Sequence, residues 1–302
     1  MAYTKLMTLK NKYSWIILLT LFAAMMPIQS QAEKFNPPQQ LRAKYADLKD
    51  ELGNSQFKRE LYMTSEESSD HLKGEIYAVV DYPFATVDKA LNDSSHWCDL
   101  LILHINIKYC YASVSKADTI LTVDLGKKEE QSLADTYQVK FNYQQVASSK
   151  DYFALALNAK DGPVGTSDYH ILIEATPISD KRTFLHFTYA YSFGLKGRLA
   201  MSTYLATVGR NKVGFTVVEK TPEIKYIQGV RGVIERNTMR YYLAIDAYLA
   251  ALNTPTESQQ EKRFQNWYDN TLMYSKQLYE VKKEDYLAMK RKEYQRQQEP
   301  PV

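Results

Sequence analysis

The stretch Arg182–Phe193, RTFLHFTYAYSF, sets Leu185, Phe187, Tyr189, Tyr191 and Phe193 against His186, Thr188, Ala190 and Ser192 in strict alternation. A side-chain period of two puts the first set on one face of a strand and the second on the other. The aromatic face needs an apolar layer to lie on, and the flanking segments supply it. Upstream, Tyr169 to Pro177 carries Ile171, Ile173 and Ala175 on one face, and Tyr152 to Asn158 reads as another strand. Tyr137, Val139, Phe141 and Tyr143 alternate with Gln138, Lys140, Asn142 and Gln144, and Thr119 to Leu125 is again extended. The links Gly126-Lys127-Lys128, Ser148-Ser149-Lys150 and Ser179-Asp180-Lys181 are short and polar, so the strands form an antiparallel meander.

Before the meander, Gln39 to Leu52 reads as a short helix, and Arg59 to Ser65 and Leu72 to Val80 as strands. Pro83 stops the second strand and suits the first turn of a helix over Phe84 to Leu103, interrupted at Asn92-Asp93-Ser94-Ser95. After it, Val213 to Glu219 reads as a strand. A long helix over Val233 to Leu252 then carries an apolar stripe through Ile234, Tyr241, Ile245 and Leu249. The charged remainder is helical, with Phe264, Trp267, Tyr268, Leu272 and Leu278 as a docking stripe open to a protein partner over 257–290. The segment from about Lys290 reads as solvated. No repeated βαβ unit and no glycine-rich phosphate loop appears.

Strand, strand, helical segment, meander and long helix, in that order, resemble the START-like (SRPBCC, helix-grip) superfamily. The residues carrying the resemblance are DYPFATVDKAL (81–91) and GVRGVIERNTMRYYLAIDAYL (229–249). It implies an α+β fold in which a curved antiparallel sheet grips a long C-terminal helix, here with extra C-terminal helices. It also implies a hydrophobic or lipid-like ligand held between sheet and helix, with some members acting as cyclases or hydroxylase components. The division expected is a signal peptide at 1–32, a helical leader at 33–56, a helix-grip domain at 57–253 and a charged helical extension at 254–302.

The signal peptide rests on Lys5, Lys10 and Lys12, the apolar run Trp15 to Met26, and Ser30-Gln31-Ala32 ahead of Glu33. A run of 12 residues is short of the roughly 20 a spanning helix needs, so a soluble periplasmic chain is expected. The formal net charge of +3 falls to about zero without those three lysines. On that balance neither nucleic acid nor anionic lipid is an expected partner. Tyrosine, with 24 copies, suits cores, cavity walls and interfaces alike.

Cys98 and Cys110 are the only cysteines and flank His104 in HWCDLLILHINIKYC (96–110). Spacings of six do not match zinc-ligand pairs. A thiol nucleophile with His96 or His104 as base and Asp99 as orienter is disfavoured by export, which oxidises paired cysteines. A disulfide requires the helix to end between them, since 12 residues of continuous helix span about 18 Å and the bond tolerates about 7 Å. Ile105-Asn106-Ile107 is the expected reversal. Candidate cavity residues are Trp97, His104, Phe187, Tyr189, Tyr191, Asn237 and Arg240. The latter two would greet a ligand headgroup, or else Arg240 belongs to a solvated charged face and Asn237 is a satisfied core residue. Glu75 and Glu174 have no partner legible in the sequence. No catalytic set, metal site or cofactor is expected.

Overall fold

Eight antiparallel strands form one sheet in the order β1-β2-β8-β7-β6-β5-β4-β3 in a computed structural model that describes residues 36–116 and 118–299. The strands are β1 (Leu61–Glu67), β2 (His71–Val80), β3 (Ile107–Val114), β4 (Thr119–Leu125), β5 (Tyr137–Ser149), β6 (Tyr152–Asp161), β7 (Thr166–Ser179) and β8 (Arg182–Phe193). Residues 1–32, expected to be a signal peptide, lie outside the described residues. From Pro37 onward the chain is one compact unit.

Hairpin links make neighbours of all strands from β3 to β8, and β8 returns beside β2. On the concave side lies the long helix, α6 (Gly229–Ala250), packed on β1, β2 and β8. The architecture is a helix grip. Gly74 of β2 leaves no room for a side chain beneath the helix, since a Cβ there would meet Thr238 Oγ1 of α6 at 2.2 Å. The convex side is covered by α1 (Pro37–Asp47) and α2 (Lys49–Gly53), and Leu41, Leu52 and the intervening Leu48 pack on Tyr77, Tyr152 and Phe184. His186 and Thr188, on the face of β8 opposite its aromatic residues, are buried too.

Between sheet and helix run α3 (Phe84–Leu91) and α4 (Trp97–Leu101), shorter than the helix read to Leu103. The chain then turns over 102–106, and Cys98 and Cys110 are bonded with Cα atoms 5.1 Å apart. Ile107 already belongs to β3, a strand the sequence reading misses. Also unforeseen is α5 (Leu195–Ala206), and the strand expected at Val213–Glu219 shrinks to β9 (Val217–Glu219) paired with β10 (Lys225–Tyr226).

Three further helices, α7 (Thr256–Leu272), α8 (Ser275–Leu278) and α9 (Lys283–Gln297), complete the described chain. Their stripe of Phe264, Trp267, Tyr268 and Leu278 lies in the main hydrophobic core rather than facing a partner, and only Leu272 is exposed. Lys290, expected in solvent, is fully buried. Its ammonium donates to His104 O, Ile107 O and Glu293 Oε2 at 2.7–2.8 Å, while Lys108 donates to Glu293 Oε1 at 2.9 Å. Burial brings the Lys290 ammonium down to about 8, with Glu293 opposing the shift. Arg296 and Gln297 bond the β3 backbone at Lys108 O and Cys110 N, so α9 shields this sheet edge.

Candidate functional site

The helix touches β1, β2 and β8 but stands clear of the far half of the sheet, where a cavity of about 540 Å³ opens. Its floor is the inner face of the sheet, with Tyr189 and Tyr191 from β8, Tyr169 from β7 and Phe141 from β5. One wall is α6, through Val233, Asn237 and Tyr241, and Met201 of α5 closes part of the mouth. The rings interlock. Tyr169 stacks on Tyr191 with centroids 5.1 Å apart, Phe141 meets Tyr169 edge-on, and Tyr241 joins Tyr189 at 5.1 Å. Burial pushes the Tyr169 phenol up to about 12 and raises Tyr189, Tyr191 and Tyr241 as well. All four therefore stay neutral near neutral pH, as donors or acceptors rather than bases.

His104 sits at the inner end. It is 3% exposed and stacks on Tyr241, with centroids 4.5 Å apart. The disulfide-clamped bend places it there, and the backbone N–H of Asn106 donates to its Nδ1 at 3.2 Å. An accepting Nδ1 carries no proton, so the proton of the neutral ring is on Nε2. Burial holds the imidazole well below its ordinary value, helped by Arg240, Lys290, Lys128 and Lys108. The ring is thus a neutral donor, and Nε2 is buried with no hydrogen-bond partner among the described residues. Leaving such a group unpaired costs about 1–3 kcal/mol.

Four of the seven candidates from the sequence, His104, Tyr189, Tyr191 and Asn237, line this cavity. The other three do not. Trp97 is core, with its indole N–H donated to Leu91 O at 2.9 Å. Phe187 is packed beneath the cavity at 1% exposure. Arg240 points away, into an ion pair with Glu280 at 2.6 Å, and touches the cavity only by donating to Asn237 Oδ1 at 3.3 Å. Glu280 also receives Lys128 and Lys212. Tyr169, Tyr241, Phe141 and Met201 are lining residues absent from the sequence-based set. Phe141 lay on the dry face of an alternating strand and Tyr241 on the helix stripe, but membership of a shared cavity needs the strand order.

On the convex face the carboxylates that seemed unpaired prove to be bridged. His186 places Nδ1 2.8 Å from Glu174 Oε2 and Nε2 3.0 Å from Glu75 Oε1, and lies flat on Tyr77 with centroids 4.2 Å apart. Lys73 reaches Glu75 and the Tyr152 hydroxyl donates to Glu174. Burial would push Glu75 up, but bonds from His186 and Lys73 hold it down at about 2. Burial likewise lowers His186, and the two carboxylates outweigh it and raise the ring. Among the described residues, no group of three or more His, Cys, Asp or Glu is placed to hold a metal ion.

No protein-family profile and no curated protein matches the chain. Solved structures do. A conserved protein from Geobacillus kaustophilus is similar over 59% of this chain and 95% of its own, at 17% identity and a TM-score of 0.35. Truncated norcoclaurine synthase from Thalictrum flavum is similar over 46% and 86%, at 12% identity and 0.33. Human StAR-related lipid transfer protein 5 is similar over 56% and 89%, at 6% identity and 0.30. Likeness this loose transfers neither ligand nor activity, and the helix grip stands on its own strand order and helix placement.

Proposed function

We propose that the chain is an exported binding or carrier protein that holds a hydrophobic or amphipathic, lipid-like ligand between sheet and helix. The observation that carries this is the buried, unpaired Nε2–H of His104 in the wall of an aromatic cavity. A cavity of about 540 Å³ falls within the range of about 300–1,000 Å³ usual for small-molecule sites. The aromatic lining matches a ligand with an apolar body, and the partnerless His104 Nε2–H, itself shielded from the open cavity, would take an oxygen acceptor such as a carboxylic acid, ester or ketone once the ring turns toward it. The same tautomer argues against the cyclase- or hydrolase-type alternative with His104 as general base, because the lone pair faces Asn106 and not the cavity.

Native mass spectrometry of the chain purified from the periplasm of its own cells is the decisive measurement. A co-purifying acyl or similarly apolar molecule with an oxygen acceptor is the expected result. Protein that is consistently empty, and that takes up no long-chain fatty acid on titration, would refute the carrier reading.

A further inference from the structure

Between β8 and α6 the chain leaves the sheet for 35 residues, 194–228, which hold α5 and the β9–β10 hairpin. This segment contains six lysines and arginines against two glutamates, a net of +4. The whole chain carries +3, so the other 267 residues together carry −1. A balance near zero conceals a segregated charge.

The same segment exposes aliphatic side chains. Leu195 is 74% exposed, Leu199 61%, Val208 71%, Val218 60% and Ile224 55%. Leu195 and Leu199 stand four apart and so share one face of α5, with Lys196 and Arg198 exposed beside them. The only residue α5 buries is Gly197, against Gly165. Met201 of the same helix lines the cavity. Lys196, Arg210 and Lys220 make no ion pair among the described residues. One short helix therefore contributes Met201 to the cavity rim and turns leucines and basic groups outward.

We propose that 194–228 is a docking surface for an anionic lipid bilayer, with α5 meeting the membrane beside the cavity mouth. Aliphatic side chains enter the acyl boundary while lysine and arginine meet phosphate headgroups, the two attractions that hold peripheral proteins on membranes. Charge complementarity selects this occupant, since two copies joined through the patch would set +4 against +4. No described helix is long and apolar enough to cross a membrane, so the contact is interfacial. The inference rests on the carrier reading only in making the membrane the source or destination of the ligand.

Flotation of the purified chain with vesicles tests it, using phosphatidylcholine alone and phosphatidylcholine mixed equally with phosphatidylglycerol. The chain is expected to float with the anionic vesicles only, and to be released by salt. Each charge removed in Lys196→Gln and Lys220→Gln should weaken binding roughly fivefold. Leu195→Ser with Leu199→Ser should weaken it through the apolar contact. Absence of flotation, flotation indifferent to both pairs of substitutions, or dimerisation through α5 in its place would overturn the proposal. Titration with cis-parinaric acid in vesicle-free solution reads the cavity separately. Surface variants that keep probe uptake but lose flotation support the docking surface, whereas loss of uptake alone counts against the carrier reading.

Discussion

Two histidines on opposite faces of one sheet have been given opposite environments. His186, on the convex face, has both ring nitrogens engaged by carboxylates and its ring flat on Tyr77. His104, on the concave side, has one nitrogen engaged and the other left over. The first is a closed arrangement, in which every strong group answers another within the fold. The second is open, and a buried open donor is retained against a standing cost. Burial of a polar residue is thus uninformative until its partners are counted.

The sharpest way to break this contrast is to remove both rings in turn. Ala at position 186 leaves Glu75 and Glu174 buried near each other with their shared cation gone, and about 3–5 kcal/mol of stability should be lost in urea denaturation. His104→Leu should cost much less, about 1 kcal/mol, because removing the unpaired Nε2 donor offsets part of the loss of the Asn106 N–H bond to Nδ1. Equal losses at both positions would show the distinction to be false.

Next in size is the clamp that aims His104. Cys98→Ala with Cys110→Ala opens a short loop and should cost about 3 kcal/mol in the entropic account. It should also reduce fatty acid uptake, since the bend over 102–106 then lacks its tie. Uptake unchanged in the folded double variant would mean that the α9 contacts alone position the ring.

Smaller again is the ligand bond itself. His104→Leu should weaken binding of a fatty acid by about tenfold and leave binding of the matching hydrocarbon unaltered, as read by competition with cis-parinaric acid. Equal effects on acid and hydrocarbon would reduce the ring to a packing element.

The smallest effect is in pH, and here the two histidines carry opposite signs. His186 is raised above 6.5, so its contribution is full below 6.5 and fades as pH rises through the folded value. His104 is lowered, so the unfolded chain binds a proton that the folded one refuses, and stability falls as pH drops below 6.5. Glu75, held at about 2, adds a loss as pH falls from about 4.5 toward 2. Urea midpoints followed across pH should flatten on the alkaline side in His186→Gln and on the acid side in His104→Leu.

The sequence makes some of this plain and hides the rest for physical reasons. Strict alternation exposes β8, and a three-to-four spacing exposes α6, because one face of each is apolar. The disulfide is legible because joining two cysteines twelve residues apart forces a bend. By contrast β3 is obscured by Lys108, whose burial depends on Glu293, 185 residues away. Composition alone marks Lys290 as solvated, whereas three acceptors hold it in the interior. The Glu75–His186–Glu174 bridge appears only when β8 is known to lie between β2 and β7. In the cavity, the individual rings were readable but their company was not.

Gly74 has a mechanical consequence. With Thr238 resting where a side chain would stand, the helix is seated on β2 along one seam. Room for a bulkier guest must come from the opposite flank, where α5 and the turns after β4 and β6 form the rim. Loading and release are then expected through that rim, on the flank away from the Gly74 seam.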